Sequence, residues 1–191
     1  IAGMNQLYRF YSFEYFLNCM EATGIRSLEL WMGSPHFWID TTGYFQCLEK
    51  KKQICGHQLH VVSACVPSMA YQYQYGHGNK EYREKSFQFF SNGIKAAAAM
   101  GAKVVVVNSG SCEYGVPFEE AVKGPAELLN RLGRVAGQEG VTMAIESLTA
   151  DETNIADNLK HTKELIRQAD TPSLKAMADT VAIYFAGETL E

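Results

Sequence analysis

The stretch Met100-Gly-Ala-Lys-Val-Val-Val-Val-Asn108 decides the fold. An amphipathic segment ends at Met100, a glycine follows, four valines run together, and Asn108 is the first polar residue after them. Glycine suits the left-handed position that closes a helix. A β-branched run without polar alternation suits a strand buried on both faces, the habit of parallel sheets. The same joint recurs at Ala22-Thr-Gly-Ile-Arg-Ser-Leu-Glu-Leu-Trp31, at Cys55-Gly-His-Gln-Leu-His-Val-Val-Ser63 and at Glu139-Gly-Val-Thr-Met-Ala-Ile-Glu146. It returns once without glycine, at Ala169-Asp-Thr-Pro-Ser-Leu-Lys-Ala-Met-Ala-Asp179.

The joints repeat about every 35 to 40 residues, the length of one strand, one helix and their loops, so the unit is βα and the sheet parallel. Helices are expected over 12–23, 43–54, 79–100, 118–139 and 154–169, and a first strand over 2–9. The helix over 79–100 has Phe87, Phe90, Ile94 and Ala98 at helical spacing, with Glu81 placed to meet Lys85 one turn on. Residues 186–191 read as the opening turn of a sixth helix. Six βα units form either an open doubly wound sheet or part of an eight-fold barrel, which usually takes about 250 residues. No G-x-G-x-x-G or G-x-x-x-x-G-K-[ST] follows the first strand, which removes the phosphate-loop support for the doubly wound form. The expectation is a single α/β domain over 1–191: a parallel (β/α)8 TIM barrel with about six βα units present and the C-terminal ones missing.

Composition narrows the function. The 191 residues are 47% hydrophobic and 20% charged, with 17 Lys+Arg against 21 Asp+Glu and a formal net charge of -4. That is a globular composition with no field to gather phosphates, which argues against nucleic acid or an anionic membrane as partner. No apolar run reaches the roughly 20 residues of a membrane-spanning helix, and Ile1-Ala-Gly-Met4 lacks the order of a signal peptide. The absence of an initiator Met implies a trimmed N-terminus. Cys19, Cys47, Cys55, Cys65 and Cys112 are odd in number and scattered, which points to a reducing cytoplasm rather than a disulfide framework or structural zinc. A small sugar-like ligand fits this balance.

In parallel α/β folds the working residues sit where strands end. Reading each run to its first polar residue gives Glu29, Cys65 or Ser68, Asn108 and Ser109, Glu146, and Asp179. Glu146 and Asp179 leave neighbouring strands at equivalent places. Two acids so placed repel unless a proton or a cation holds them, and a hard divalent ion such as Mn²⁺ or Mg²⁺ suits oxygen donors. The bland alternative is that each acid caps the helix that follows it.

The segments Ile25-Arg-Ser-Leu-Glu-Leu-Trp31, Val141-Thr-Met-Ala-Ile-Glu-Ser-Leu148 and Leu174-Lys-Ala-Met-Ala-Asp-Thr180 resemble the sugar phosphate isomerase/epimerase group of xylose isomerase-like barrels, which includes the D-tagatose (D-psicose) 3-epimerases. The likeness runs from Met4 to the last residue, strong for the superfamily and weak for the substrate. It implies that Glu146 and Asp179 bind a divalent metal, Mn²⁺ foremost with Mg²⁺, Co²⁺ or Zn²⁺ as alternatives. It also implies that Glu146 is a catalytic acid/base and that Glu152 helps hold the sugar near its C1 end. Glu29 and Asn108 are further candidates for substrate binding. The family's other two metal ligands, a His and a Glu on later strands, have no counterpart, and a sugar-contacting His common three residues after the metal Asp is here Ala182. The implied chemistry is proton abstraction next to a ketose carbonyl through an enediolate. Dimers or tetramers are common in related barrels, so a homo-oligomer is implied too.

Other residues carry less. His36 lies in the loop after the second strand, either packed or near a substrate; His57 and His60 precede the third strand at the opposite rim, where stability is the better reading. His77 and His161 read as surface residues, and Lys50-Lys-Lys52 as a solvated helix face. Trp31, Phe37, Trp38 and the run Tyr71-Gln-Tyr-Gln-Tyr75 suit packing, an interface or a lid, and Cys65 and Cys112 are read as spectators. An apurinic endonuclease of the same scaffold needs several rim His and basic loops that the sequence lacks. Hydroxypyruvate isomerase, inosose dehydratase and a catalytically inactive truncated barrel stay open as alternatives.

Overall fold

The computed structural model describes residues 1–40, 43–67 and 79–189. Six parallel strands, β1 (Ala2–Met4), β2 (Ser27–Trp31), β3 (His60–Cys65), β4 (Val104–Val107), β5 (Thr142–Glu146) and β6 (Leu174–Met177), lie side by side in chain order. The helices α1 (Phe13–Ala22), α2 (Tyr44–Gly56), α3 (Lys80–Met100), α4 (Phe118–Ala121), α5 (Lys123–Glu139), α6 (Leu159–Ala169) and α7 (Thr180–Phe185) fall between and after them. Strand order equal to chain order, with a helix in each crossover, is the winding of a TIM barrel, here a partial one.

The expected joints are present. Gly101 closes α3 at φ 97° and Gly140 closes α5 at φ 67°, both left-handed, which a Cβ would strain. Ser12 caps α1 by accepting the Tyr15 N–H, and Lys85 pairs with Glu81 at 3.0 Å on α3. Alternation sorts the strand residues. Leu28, Leu30, Ala64, Val105, Met143 and Ile145 have no exposure and pack with Phe16, Leu17, Phe90, Ile94, Leu129 and Leu132 in the core between sheet and helices. The other set, Glu29, Trp31, Ser63, Cys65, Val106 and Glu146, points to the barrel interior.

One irregularity fixes part of that interior. The β2–β3 register runs Leu28 to Val61 and then Glu29 to Ser63, skipping Val62. Such a bulge shifts which side chain faces the neighbouring strand. It brings the Ser63 hydroxyl to the Glu29 carboxylate, where it donates at 2.7 Å.

Four expectations are corrected. The first strand is three residues, not 2–9, because Asn5–Tyr8 form a 3₁₀ turn. Asn5 replaces the strand: its Oδ1 accepts the Trp31 N–H at 2.7 Å and its Nδ2 donates to the Trp31 carbonyl at 3.0 Å. The helix over 118–139 is divided at Val122 into α4 and α5. The helix expected from 154 begins at Leu159, after Asn158 accepts the His161 N–H. The sixth helical opening expected at 186–191 lies earlier, as α7, which starts directly after Asp179 and is followed by Gly187 at φ 68°. Ser68, the tyrosines 71, 73 and 75, His77, and residues 190–191 lie outside the described residues.

Candidate active site

At the C-terminal ends of the strands lies a cavity of about 490 Å³ whose wall includes Glu29, Glu146, Glu152 and Asp179. Asn108, Trp31 and Cys65 complete the part of the wall anticipated from sequence, and Met4, Gln6, Val66, Pro67, Val106 and Leu148 add the rest. All five candidate site residues, Glu29, Asn108, Glu146, Glu152 and Asp179, therefore meet in one space.

Each acid is positioned by a separate local device. Glu146 ends β5 and is half-buried. Asp179 is the N-cap of α7: its Oδ1 accepts the Val181 N–H at 2.7 Å and the Ala182 N–H at 3.0 Å. The capping alternative raised for strand-end acids thus holds for Asp179, and it does not exclude the other role, since Oδ1 serves the helix while Asp179 also lines the cavity with Glu146. Glu152 turns back on its own loop, its Oε2 accepting from the Thr149 N–H at 3.0 Å and hydroxyl at 2.9 Å. Glu29 is held from below by Ser63. Asn108 is buried at the end of β4 and its Oδ1 accepts the Gly110 N–H at 3.0 Å, shaping the turn that leaves the strand.

This crowding has an electrostatic result. Burial, then the negative charges of Asp179, Glu29 and Glu152, and then the hydrogen bond with Asp179 push the Glu146 carboxyl up to about 7. A carboxyl so raised holds a proton further toward neutral pH than an exposed glutamate does. The Cys65 thiol, buried and facing Glu146 and Glu29, is pushed well above its ordinary range. It stays protonated at neutral pH, which fits the spectator reading.

The donor set at Glu146 and Asp179 suits a hard cation: carboxylate oxygens from both, two further acids, Glu29 and Glu152, in the same wall, and no Lys, Arg or His in the described wall. Among the described residues these two acids supply a partial ligand set, since no group of three or more His, Cys, Asp or Glu is gathered closely enough to hold a metal ion.

The four described histidines lie outside the cavity wall. His36 is buried outside the cavity wall; its Nε2 donates to the Tyr11 carbonyl at 2.8 Å, which leaves Nδ1 to accept from Asn5 at 3.3 Å. His57 sits between Glu14 and Glu21 of α1, 3.0 Å from each, and His60 meets the Ser27 hydroxyl at 3.1 Å. His161 stacks on Phe118 with ring centroids 4.0 Å apart and meets Asp157 at 2.6 Å. Sequence reasoning missed Gln6 and Ser63. Gln6 was hidden inside a supposed strand, and Ser63 gained its place from the bulge. No helix of the described residues is long and apolar enough to cross a membrane.

Comparison with known proteins agrees with this architecture. The chain is 23% identical over 165 residues to the fructoselysine 3-epimerase of Shigella flexneri, an alignment covering 86% of the chain and 60% of that protein. Among solved structures, 3-keto-D-glucoside 4-epimerase of E. coli superposes with a TM-score of 0.80 at 17% identity, covering 99% of the chain and 71% of that protein. D-psicose 3-epimerase of Clostridium cellulolyticum H10, solved with D-tagatose, superposes with a TM-score of 0.78 at 16% identity, covering 94% of the chain and 62% of that protein. The chain thus spans about three-fifths of the length of the curated relative. The family described as the xylose isomerase-like TIM barrel matches residues 18–191, and the chain belongs to it.

Proposed function

We propose that this chain carries the reaction cavity of a divalent-metal-dependent isomerase/epimerase acting on a ketose or related sugar. The observation that supports it is the convergence of Glu146 and Asp179 on one cavity, with Glu146 pushed up to about 7 by burial and by the charge of Asp179. The fructoselysine 3-epimerase relative and the two epimerase structures belong with the same reading.

Glu146 and Asp179 would hold the ion, Mn²⁺ in the first instance with Mg²⁺, Co²⁺ or Zn²⁺ as alternatives. When bound, such an ion would supply Lewis-acid chemistry, acidifying the C–H next to a carbonyl. Glu146 would take that proton and return it, the two directions of one acid/base group. Asp179 is held in place by the first turn of α7, so its carboxyl would need little reorganisation on meeting an ion. Glu152 and Glu29, each fixed by hydroxyls, accept hydrogen bonds from sugar hydroxyls, and Asn108 adds its side chain at the end of β4. Trp31 offers a ring for an apolar sugar face. The acidic walls disfavour phosphates, so neither a nucleic acid nor a membrane surface is a partner of this cavity.

The reading is tested by incubating a ketose panel with Mn²⁺ in D₂O. Solvent deuterium is expected to enter at the carbon next to the carbonyl with the native chain and not with Glu146→Gln. Equal incorporation with the variant rejects Glu146 as the acid/base.

A further inference from the structure

Two walls of the reaction cavity stand on loops of different strands: Asn108 opens the loop after β4, and Glu152 lies in the loop after β5. The second loop is compact. The Leu148 N–H donates to the Ala156 carbonyl at 3.0 Å and closes its neck, while the Glu152 and Thr153 N–H groups both donate to the Thr149 carbonyl, at 2.9 and 3.1 Å. Glu152 is exposed, and the hydrogen bonds of its side chain stay within this loop. Where its carboxylate sits in the cavity therefore depends on what holds the loop. The ties to the neighbouring loop come from the side chains that directly follow it, Thr153 and Asn154.

The Thr153 hydroxyl is buried and fully engaged. It donates to the Gly110 carbonyl at 2.6 Å, accepts the Ile155 N–H at 3.0 Å and lies 3.1 Å from the Ser109 hydroxyl, whose oxygen accepts the Ala156 N–H at 3.3 Å. With the Thr153 proton spent on Gly110, Ser109 is the donor between the two hydroxyls. Gly110 is thus held at both ends, its N–H by Asn108 and its carbonyl by Thr153. Asn154 makes a tie of another kind. Its Oδ1 accepts the Cys112 N–H at 2.9 Å and its Nδ2 donates to the Cys112 carbonyl at 2.8 Å. One side-chain amide pairs with a backbone residue as a neighbouring strand would, which is what Asn5 does with Trp31.

We infer that Thr153 and Asn154 are positioning residues of the sugar site: they lock the loop of Glu152 to the loop of Asn108 and so fix the Glu152 carboxylate in the cavity before a substrate arrives. A binding group already in place spares the ordering cost that a loose loop pays on binding. This inference rests on the function proposed above.

A double-mutant cycle tests it. Calorimetry measures D-fructose and D-tagatose with Mn²⁺ present, and Mn²⁺ alone without sugar. Thr153→Val and Asn154→Ala should each weaken the sugars about tenfold, within the range of coupling in one hydrogen-bond network, and leave Mn²⁺ affinity unchanged. Thr153→Ser keeps the hydroxyl and should restore native affinity. In a Glu152→Ala background, where no carboxylate is left to position, the same two substitutions should cost less than about twofold. Asn154 and its partner Cys112 are only half-buried, so Asn154→Ala carries the test if Thr153→Val does not fold. An equal cost in both backgrounds, or sugar affinity unchanged in the folded variants, overturns the inference while the proposed function stands. Joint loss of Mn²⁺ and sugar also overturns it, since that marks support of the fold alone. If neither sugar binds the native chain, the proposed function falls and this inference falls with it.

Discussion

Replacing Glu146 by Gln should change how stability depends on pH, by an amount set by the crowding around it. The native carboxyl is raised from 4.5 to about 7, mainly by burial and next by Asp179, Glu29 and Glu152. Between those values the folded chain keeps a proton that the unfolded chain has lost. Stability attributable to Glu146 is therefore intact below 4.5, falls as pH rises, and is fully lost above about 7. At about 1.4 kcal/mol per pH unit, the loss across the window reaches roughly 3 kcal/mol as an upper bound. The glutamine has nearly the same shape and no charge, so its variant lacks this slope. Urea unfolding of both proteins in chelator, at about pH 4.5 and about pH 8, measures it. The variant should match the native chain at the lower pH and exceed it by up to roughly 3 kcal/mol at the higher. Parallel pH dependence of the two proteins would refute the reasoning, because groups that do not interact with Glu146 cancel in the difference and Asp179, Glu29 and Glu152 change only through it.

Further outcomes follow from the same geometry. Asp179→Ala removes two hydrogen bonds at the start of α7 and should cost about 1 kcal/mol in urea unfolding, whereas Asp179→Asn keeps an acceptor and should cost little at acid pH. Mn²⁺ at about one hundred times its dissociation constant should stabilise the native chain at alkaline pH by about 2.7 kcal/mol, read as a shift in urea midpoint, and should do far less for either Asp179 variant. Gly33→Ala would place a Cβ 2.2 Å from the Trp31 ring, so that ring, a wall of the cavity, must move. A destabilisation of about 1–3 kcal/mol and a changed near-ultraviolet circular dichroism spectrum are expected, and an unaltered spectrum contradicts the close approach. Ser63→Ala removes the donor to Glu29; in a ketose-binding assay it should weaken affinity several-fold, and Ser63→Thr should restore it.

The sheet was legible because four of its six strands, β2 to β5, announce themselves twice, by a glycine before them and by an apolar run such as Val104–Val107. Glu146 and Asp179 were legible for a related reason: when strands are parallel and in order, the first polar residue after each run lands on the same rim. The beginning of the chain was not legible. Leu7 and Tyr8 look like strand residues, yet Asn5 takes over the pairing with Trp31 through its side chain, and an amide acting as backbone leaves no periodic trace. The short α7 was misplaced because Asp179 reads equally well as a ligand and as a cap, and here it is bonded as a cap. The approach of Glu29 to Glu146 also lay beyond sequence. These residues sit on β2 and β5, and curvature of the sheet, together with the bulge opposite Glu29, brings them to one cavity.

Electron paramagnetic resonance of Mn²⁺ titrated into the native chain, Glu146→Gln and Asp179→Asn examines the paired carboxylates without relying on turnover. The native chain should take up one ion per molecule with release of a proton near neutral pH, and each variant should bind it at least tenfold more weakly, a loss of about 1.4 kcal/mol or more. Uptake that is unchanged in both variants would contradict a cation held between Glu146 and Asp179.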